Sequence, residues 1–182
     1  MKITVESLRK IEKEGSRFLG VVNVILNDAL VIENIRIIQG PEKKFIAMPS
    51  KKVNDTYIDF AHPINDETKN ELVNAVISTY EDKGHVFGML DEMIITKVRI
   101  NYTSNATGLL AIADVQINNK YAIHDIMIVK ELLEDGRSAY KFLLPSREDG
   151  EGVRRNIFYS INKEFTDKLF QTIFEKYKEG LK

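Results

Sequence analysis

The chain has no cysteine and no tryptophan, and among its 182 residues only four are proline and three are histidine. The lack of cysteine excludes disulfides, thiolate zinc sites and cysteine nucleophiles, and it accords with a cytoplasmic setting. A membrane helix needs about 20 predominantly apolar residues; no run in the chain approaches that, so no membrane role is expected. The opening MKITVESLRKIEKEG turns early into charge and has no apolar signal-peptide centre. The Asn-X-Thr sequons at Asn101 and Asn105 are accordingly read as accidental. An excess of one charge is missing too. There are 26 Lys and Arg against 27 Asp and Glu, a net charge of −1, and both halves about Gly84 are close to neutral. Long-footprint binding to duplex nucleic acid wants clustered positive charge, so any such role must rest on local patches.

Catalytic signatures are also scarce. His62, His85 and His124 form no HxH or HxxxH pair, so no metal site and no cofactor are expected. His62, before Pro63, is read as shaping a turn. Gly150-Glu151-Gly152 lacks the lysine and the strand-to-helix setting of a phosphate loop, and no serine sits in a nucleophile elbow. No catalytic residue is nominated.

What is present is a repeat. RFLGVVNVIL, Asn27-Asp28 and ALVIENIRII read as a hairpin, because Asn and Asp tolerate the positive φ of a tight primed turn. LLAIADVQI, Asn118-Asn119 and KYAIHDIMIV repeat it at a constant spacing, which drifts after the longer segment at 130–138. Both copies then reach a Pro-Ser-basic triplet, AMPSKK at 47–52 and LLPSRE at 143–148. Each closes with a helix: Asn65 caps a stripe of Leu72, Val76 and Tyr80, and Asn162 caps one of Phe165, Leu169, Ile173 and Tyr177. The fold class is therefore α+β, with two tandem units, each an antiparallel sheet of four to five strands followed by a helix. Residues 1–83 form the first, 84–92 a joint and 93–182 the second.

AMPSKK, then DFAHPIN at 59–65 and Thr68-Lys69, resembles the SpoVG family, small bacterial proteins named for stage V sporulation and septation. The first copy matches along its whole length. The second keeps Pro145-Ser146-Arg147 but has Glu148 where the first has Lys52, and Tyr159-Ser160 where it has His62-Pro63. The resemblance implies a regulator that binds DNA or RNA and forms dimers, so that two fused copies would make an intramolecular pseudo-dimer. Carried over, the family's binding positions fall on Ser50, Lys51, Lys52 and Lys69.

A hydroxyl and ammonium groups on a short loop can hold phosphate oxygens, and the same residues can equally be solvated surface. In the second copy Arg147, Arg154 and Arg155 could form a guanidinium clamp, though Glu148, Asp149 and Glu151 stand among them. The leading reading is a non-enzymatic nucleic-acid-binding regulator. The alternative is a module for a small, nucleotide-like anion or a protein partner that kept the fold without the nucleic-acid role. Further homo-oligomerisation is compatible with either.

Overall fold

A computed structural model describes residues 1–103 and 108–181; the sequon at Asn105 lies outside them. The first copy runs β1 (Ile3–Lys10), β2 (Phe18–Leu26), β3 (Leu30–Gln39), β4 (Lys44–Ala47), β5 (Ser50–Val53), β6 (Thr56–Asp59), β7 (Ala61–Pro63) and α1 (Asp66–Tyr80). A short strand β8 (Val86–Phe87) lies in the joint and pairs with β1, fastening the connection to the first sheet. The second copy runs β9 (Ile95–Tyr102), β10 (Leu109–Ile117), β11 (Tyr121–Leu132), β12 (Ser138–Leu143), β13 (Ser146–Glu148), β14 (Arg154–Asn156), β15 (Phe158–Ser160) and α2 (Lys163–Glu179).

The hairpins form where the turn residues ask for them. Asn27 and Asp28 have φ of 48° and 52°, and Asn118 and Asn119 have 54° and 51°. Positive φ at both central positions is the primed turn whose twist matches the flanking strands. From their second residue onward the β2 and β10 strands alternate half-buried and buried residues, placing Val22, Val24 and Leu26, or Ala113, Val115 and Ile117, in the core. Each long hairpin carries a bulge at the same place. Asn34 and Asp125 both adopt φ of 63°, and their N–H groups donate to Asn23 Oδ1 (3.0 Å) and Asp114 Oδ1 (3.4 Å) across the strand.

The two copies are joined by reciprocal strand exchange. In the first copy, β3 pairs with β2 on one edge; its other edge takes β4 and, further along, β15 from the second copy. In the second, β11 pairs with β10, with β12, and with β7 from the first copy. The registers correspond: Ala61, His62 and Pro63 lie opposite Ile123, Ala122 and Tyr121, while Phe158, Tyr159 and Ser160 lie opposite Ile32, Val31 and Leu30. Each segment that leads into a helix thus completes the sheet of the other copy, which is the arrangement of an isologous dimer within one chain. One continuous apolar core results, drawing Leu26, Ile35 and Leu72 from one copy and Ile117, Phe158 and Ile173 from the other.

The helices are capped as their sequences require. Asn65 Oδ1 accepts from the Thr68 N–H at 2.8 Å, and Asn162 Oδ1 from the Phe165 N–H at 2.9 Å. The aromatic stripe of α2 covers its own sheet: Phe170 lies parallel to Phe142 at 4.8 Å, and Phe174 packs against Tyr140 at 4.8 Å. Among the described residues no helix is long and apolar enough to cross a membrane.

Candidate functional site

The two Pro-Ser-basic triplets occupy equivalent corners. Proline has no N–H to donate and ends the preceding strand. Its carbonyl is used in each case: the Pro49 oxygen accepts the Phe60 N–H at 2.9 Å, and the Pro145 oxygen accepts the Ile157 N–H at 2.8 Å. Beyond the proline the chain forms a strand instead of the expected open loop. β5 pairs with β6 around Asn54-Asp55, with Asn54 at φ 54°, and β13 pairs with β14.

Strand geometry separates the nominated lysines, because successive side chains on a strand leave opposite faces. Lys51, opposite Ile58, turns towards the second copy, where its ammonium is ion-paired with Asp125 and lies 5.6 Å from the Phe60 ring centre. Lys52 lies opposite Tyr57 and shares a face with it and with Ser50. Lys52 is exposed, and its contact with Asp55 is a loose 3.9 Å across solvent. An exposed pair of this kind contributes little to stability and leaves the ammonium accessible.

Ser50 and Tyr57 open onto a cavity of about 550 Å³ that is also lined by Arg36, Met48, His62 and Lys69. Tyr57 is 69% exposed there. Lys69 also borders a second cavity of about 760 Å³, between β4 and α1, which continues past Lys43, Phe45 and Val73. Asp66 and Glu67 already complement the α1 dipole in its first turn. An anion at this corner would therefore be held by Lys69 and Arg36 and not by the helix end alone.

The second corner is electrically self-contained. Arg147 donates to the Ser50 carbonyl at 3.2 Å, tying the two corners together. Arg155 donates to Asp149 at 2.9 Å, and this hydrogen bond holds the Asp149 carboxyl below its usual range. Arg154 is exposed on β14, in the place that Tyr57 takes in the first copy. Of the nominated residues, the fold thus gathers Ser50, Lys51 and Arg147 at the junction of the copies and Ser50 and Lys69 about the first cavity, with Lys52 on the sheet face that Ser50 and Tyr57 share. Arg155 lies opposite Arg147, and the two line a smaller cavity of about 330 Å³ with Glu33 and Asp149, whereas Arg154 lies apart.

Sequence reasoning missed a further group at the junction. His62, on β7, meets His124, on β11, with Nε2 atoms 3.1 Å apart and ring planes inclined by 12°. His124 Nδ1 lies 3.1 Å from Asp114 Oδ1, and Arg99 also donates to Asp114, at 2.6 Å. Burial works to raise the Asp114 carboxyl, but hydrogen bonds from His124 and Arg99, the His124 charge and the Asp125 N–H outweigh it and bring it to about 2. Asp59 is raised, first by burial, against the opposing charges of His62 and His124. The related position in the other junction holds Glu33 and Tyr159, and the Glu33 carboxyl is raised by burial although Tyr159 hydrogen-bonds to it. No local motif could have announced the histidine pair, since its members are 62 residues apart in sequence. Tyr57 left a fainter trace: Asn54-Asp55 between SKKV and TYID is itself a hairpin signal that sets Tyr57 opposite Lys52.

The SpoVG family model matches residues 1–82 and again residues 93–179. The chain belongs to the SpoVG family. It carries the family unit twice, in agreement with the repeated hairpins, corners and helices. Relatives named septation protein SpoVG are each matched by less than half of it. One from Agathobacter rectalis is 43% identical over 82 residues, 44% of this chain and 93% of the relative. Another, from Lachnospira eligens, is 42% identical over 87 residues, 47% of this chain and 98% of the relative. A third, from Phytoplasma australiense, is 42% identical over 83 residues, 45% of this chain and 85% of the relative.

Proposed function

We propose that this tandem SpoVG protein is a non-enzymatic, cytoplasmic regulator that binds DNA or RNA through its first corner. The observation that carries this reading is the grouping of Ser50, Arg36 and Lys69 around one open cavity that Asp59 also lines, with the exposed Tyr57 on its β5–β6 wall and Lys52 opposite Tyr57 on the same sheet face. A hydroxyl and cations gathered at one corner suit backbone phosphates, and such contacts fix position while discriminating weakly between bases. The second copy contributes mainly by completing the body: its Arg155 is engaged by Asp149 and its Arg147 by the Ser50 carbonyl.

Replacing both Lys52 and Lys69 by alanine tests this reading. Each phosphate contact contributes roughly 0.7–0.9 to the slope of log affinity against log salt. The double variant is expected to bind single-stranded DNA, duplex DNA or RNA more weakly, with the slope reduced by between about 1 and 2. Unchanged affinity and slope would remove the first corner from the reading.

A second reading has its own support. The net charge of −1 and the acids around Arg155 suit a small nucleotide-like anion in the same cavity better than a polymer. A mononucleotide releases few counterions, so its binding would depend only weakly on salt.

A further inference from the structure

The histidine pair at the junction has a feature that its hydrogen bonds leave unresolved. The Pro63 carbonyl, 3.0 Å from His62 Nδ1, can only accept, so that nitrogen carries a hydrogen. The Asp114 carboxylate, 3.1 Å from His124 Nδ1 and accepting from Arg99 as well, likewise takes a hydrogen from that nitrogen. In the neutral imidazoles both Nε2 atoms are then bare acceptors, and they face each other at 3.1 Å with nothing between them to donate.

We propose that this junction is a binding site for a divalent transition-metal ion, ligated by His62 Nε2 and His124 Nε2. Two observations point to it. Two nitrogens at adjacent tetrahedral corners of zinc, each about 2.0–2.1 Å from the ion, stand about 3.3 Å apart, close to the 3.1 Å found. Both rings also carry the outer contacts typical of metal-bound histidine, one Nδ1–H on a carboxylate and the other on a backbone carbonyl.

Among the described residues no group of three or more His, Cys, Asp or Glu is placed to hold a metal. The site therefore has two protein donors, and solvent entering through the cavity that His62 lines completes the coordination. Imidazole donors select zinc, copper or nickel over magnesium or calcium. The ion would bridge the copies, since His62 comes from the first and His124 from the second. The related junction, with Glu33 and Tyr159, has no such pair of nitrogens, so one site per chain is expected.

The test is calorimetric titration of the full chain, stripped with EDTA and desalted, with Zn²⁺ at neutral pH. One ion per chain is expected. His62→Ala or His124→Ala should each weaken uptake at least tenfold, and Asp114→Asn should weaken it by about 10–100-fold through loss of its hold on His124. The paired change His62→Tyr with His124→Glu reproduces the other junction, so it should abolish uptake while leaving the circular-dichroism spectrum intact. X-ray absorption on the zinc-loaded unaltered chain is independent of any folding defect in the variants and should show two imidazole ligands. No saturable uptake, as a proton shared between the rings would give, overturns the proposal. So does uptake indifferent to the paired change, or a spectrum with fewer than two imidazoles.

Discussion

Lys51 and Lys52 are adjacent in sequence but serve different environments, because β5 sends one towards Asp125 and the other into solvent beside Tyr57. The same logic of local partners governs Asp114, whose carboxyl ionises at about 2 against an ordinary 3.8. A depressed folded-state value means that its contacts with His124 and Arg99 stabilise the fold fully above the ordinary value, and that this contribution disappears as pH falls through about 2. The side chain is 13% exposed, so solvent screens the effect only in part. Asp114→Asn lacks this titration; its melting temperature is expected to fall less than that of the unaltered chain between about pH 4 and pH 2, as followed by circular dichroism. At this scale the sequence identified residue types well and their partners poorly. Ser50, Lys52 and Lys69 could be nominated from one short stretch, but Asp125 and His124 reach that corner only through pairing between the copies.

At the scale of elements, hairpins and helices were legible because their determinants are local. Asn27-Asp28 and Asn118-Asn119 set the turns, and Asn65 and Asn162 cap the helices. The exchange of β7 and β15 was not legible in the same way. A three-residue strand carries little periodicity, and nothing in AHP or FYS states which edge it will join. Phe158 shows what the exchange contributes: it is 1% exposed, opposite Ile32 in the first copy's sheet. Phe158→Ala leaves a cavity in the shared core, and such changes cost about 3–5 kcal/mol. Urea unfolding is expected to show that loss in a single transition covering both copies; loss confined to the second copy would contradict the exchange.

For the whole molecule, the reciprocal strands mean that neither unit closes its own sheet. Residues 1–82 alone would leave the β3 edge at Leu30–Ile32 without its partner, and an open apolar edge recruits another strand. That fragment is expected to elute as a dimer in size-exclusion chromatography, with β7 of each copy on β3 of the other; a stable monomer would show that the exchange is dispensable. Fusion also lets the two junctions diverge, histidines at one and Glu33 with Tyr159 at the other, which two identical chains could not do. The repeat itself was plain in sequence, as was the pseudo-dimer implied by the family resemblance. The charge pattern gave no comparable guidance, since a net charge of −1 conceals where the accessible cations lie.

The most direct test of the proposed role is fluorescence anisotropy of the purified chain with labelled single-stranded DNA, duplex DNA and RNA across a salt series. With two to four cations of the first corner on phosphates, log affinity is expected to fall against log salt with a slope between about −1.5 and −3.5. Absence of binding to all three polymers at low salt would contradict the nucleic-acid role and leave the cavity beside Ser50 and Lys69 to a smaller anion.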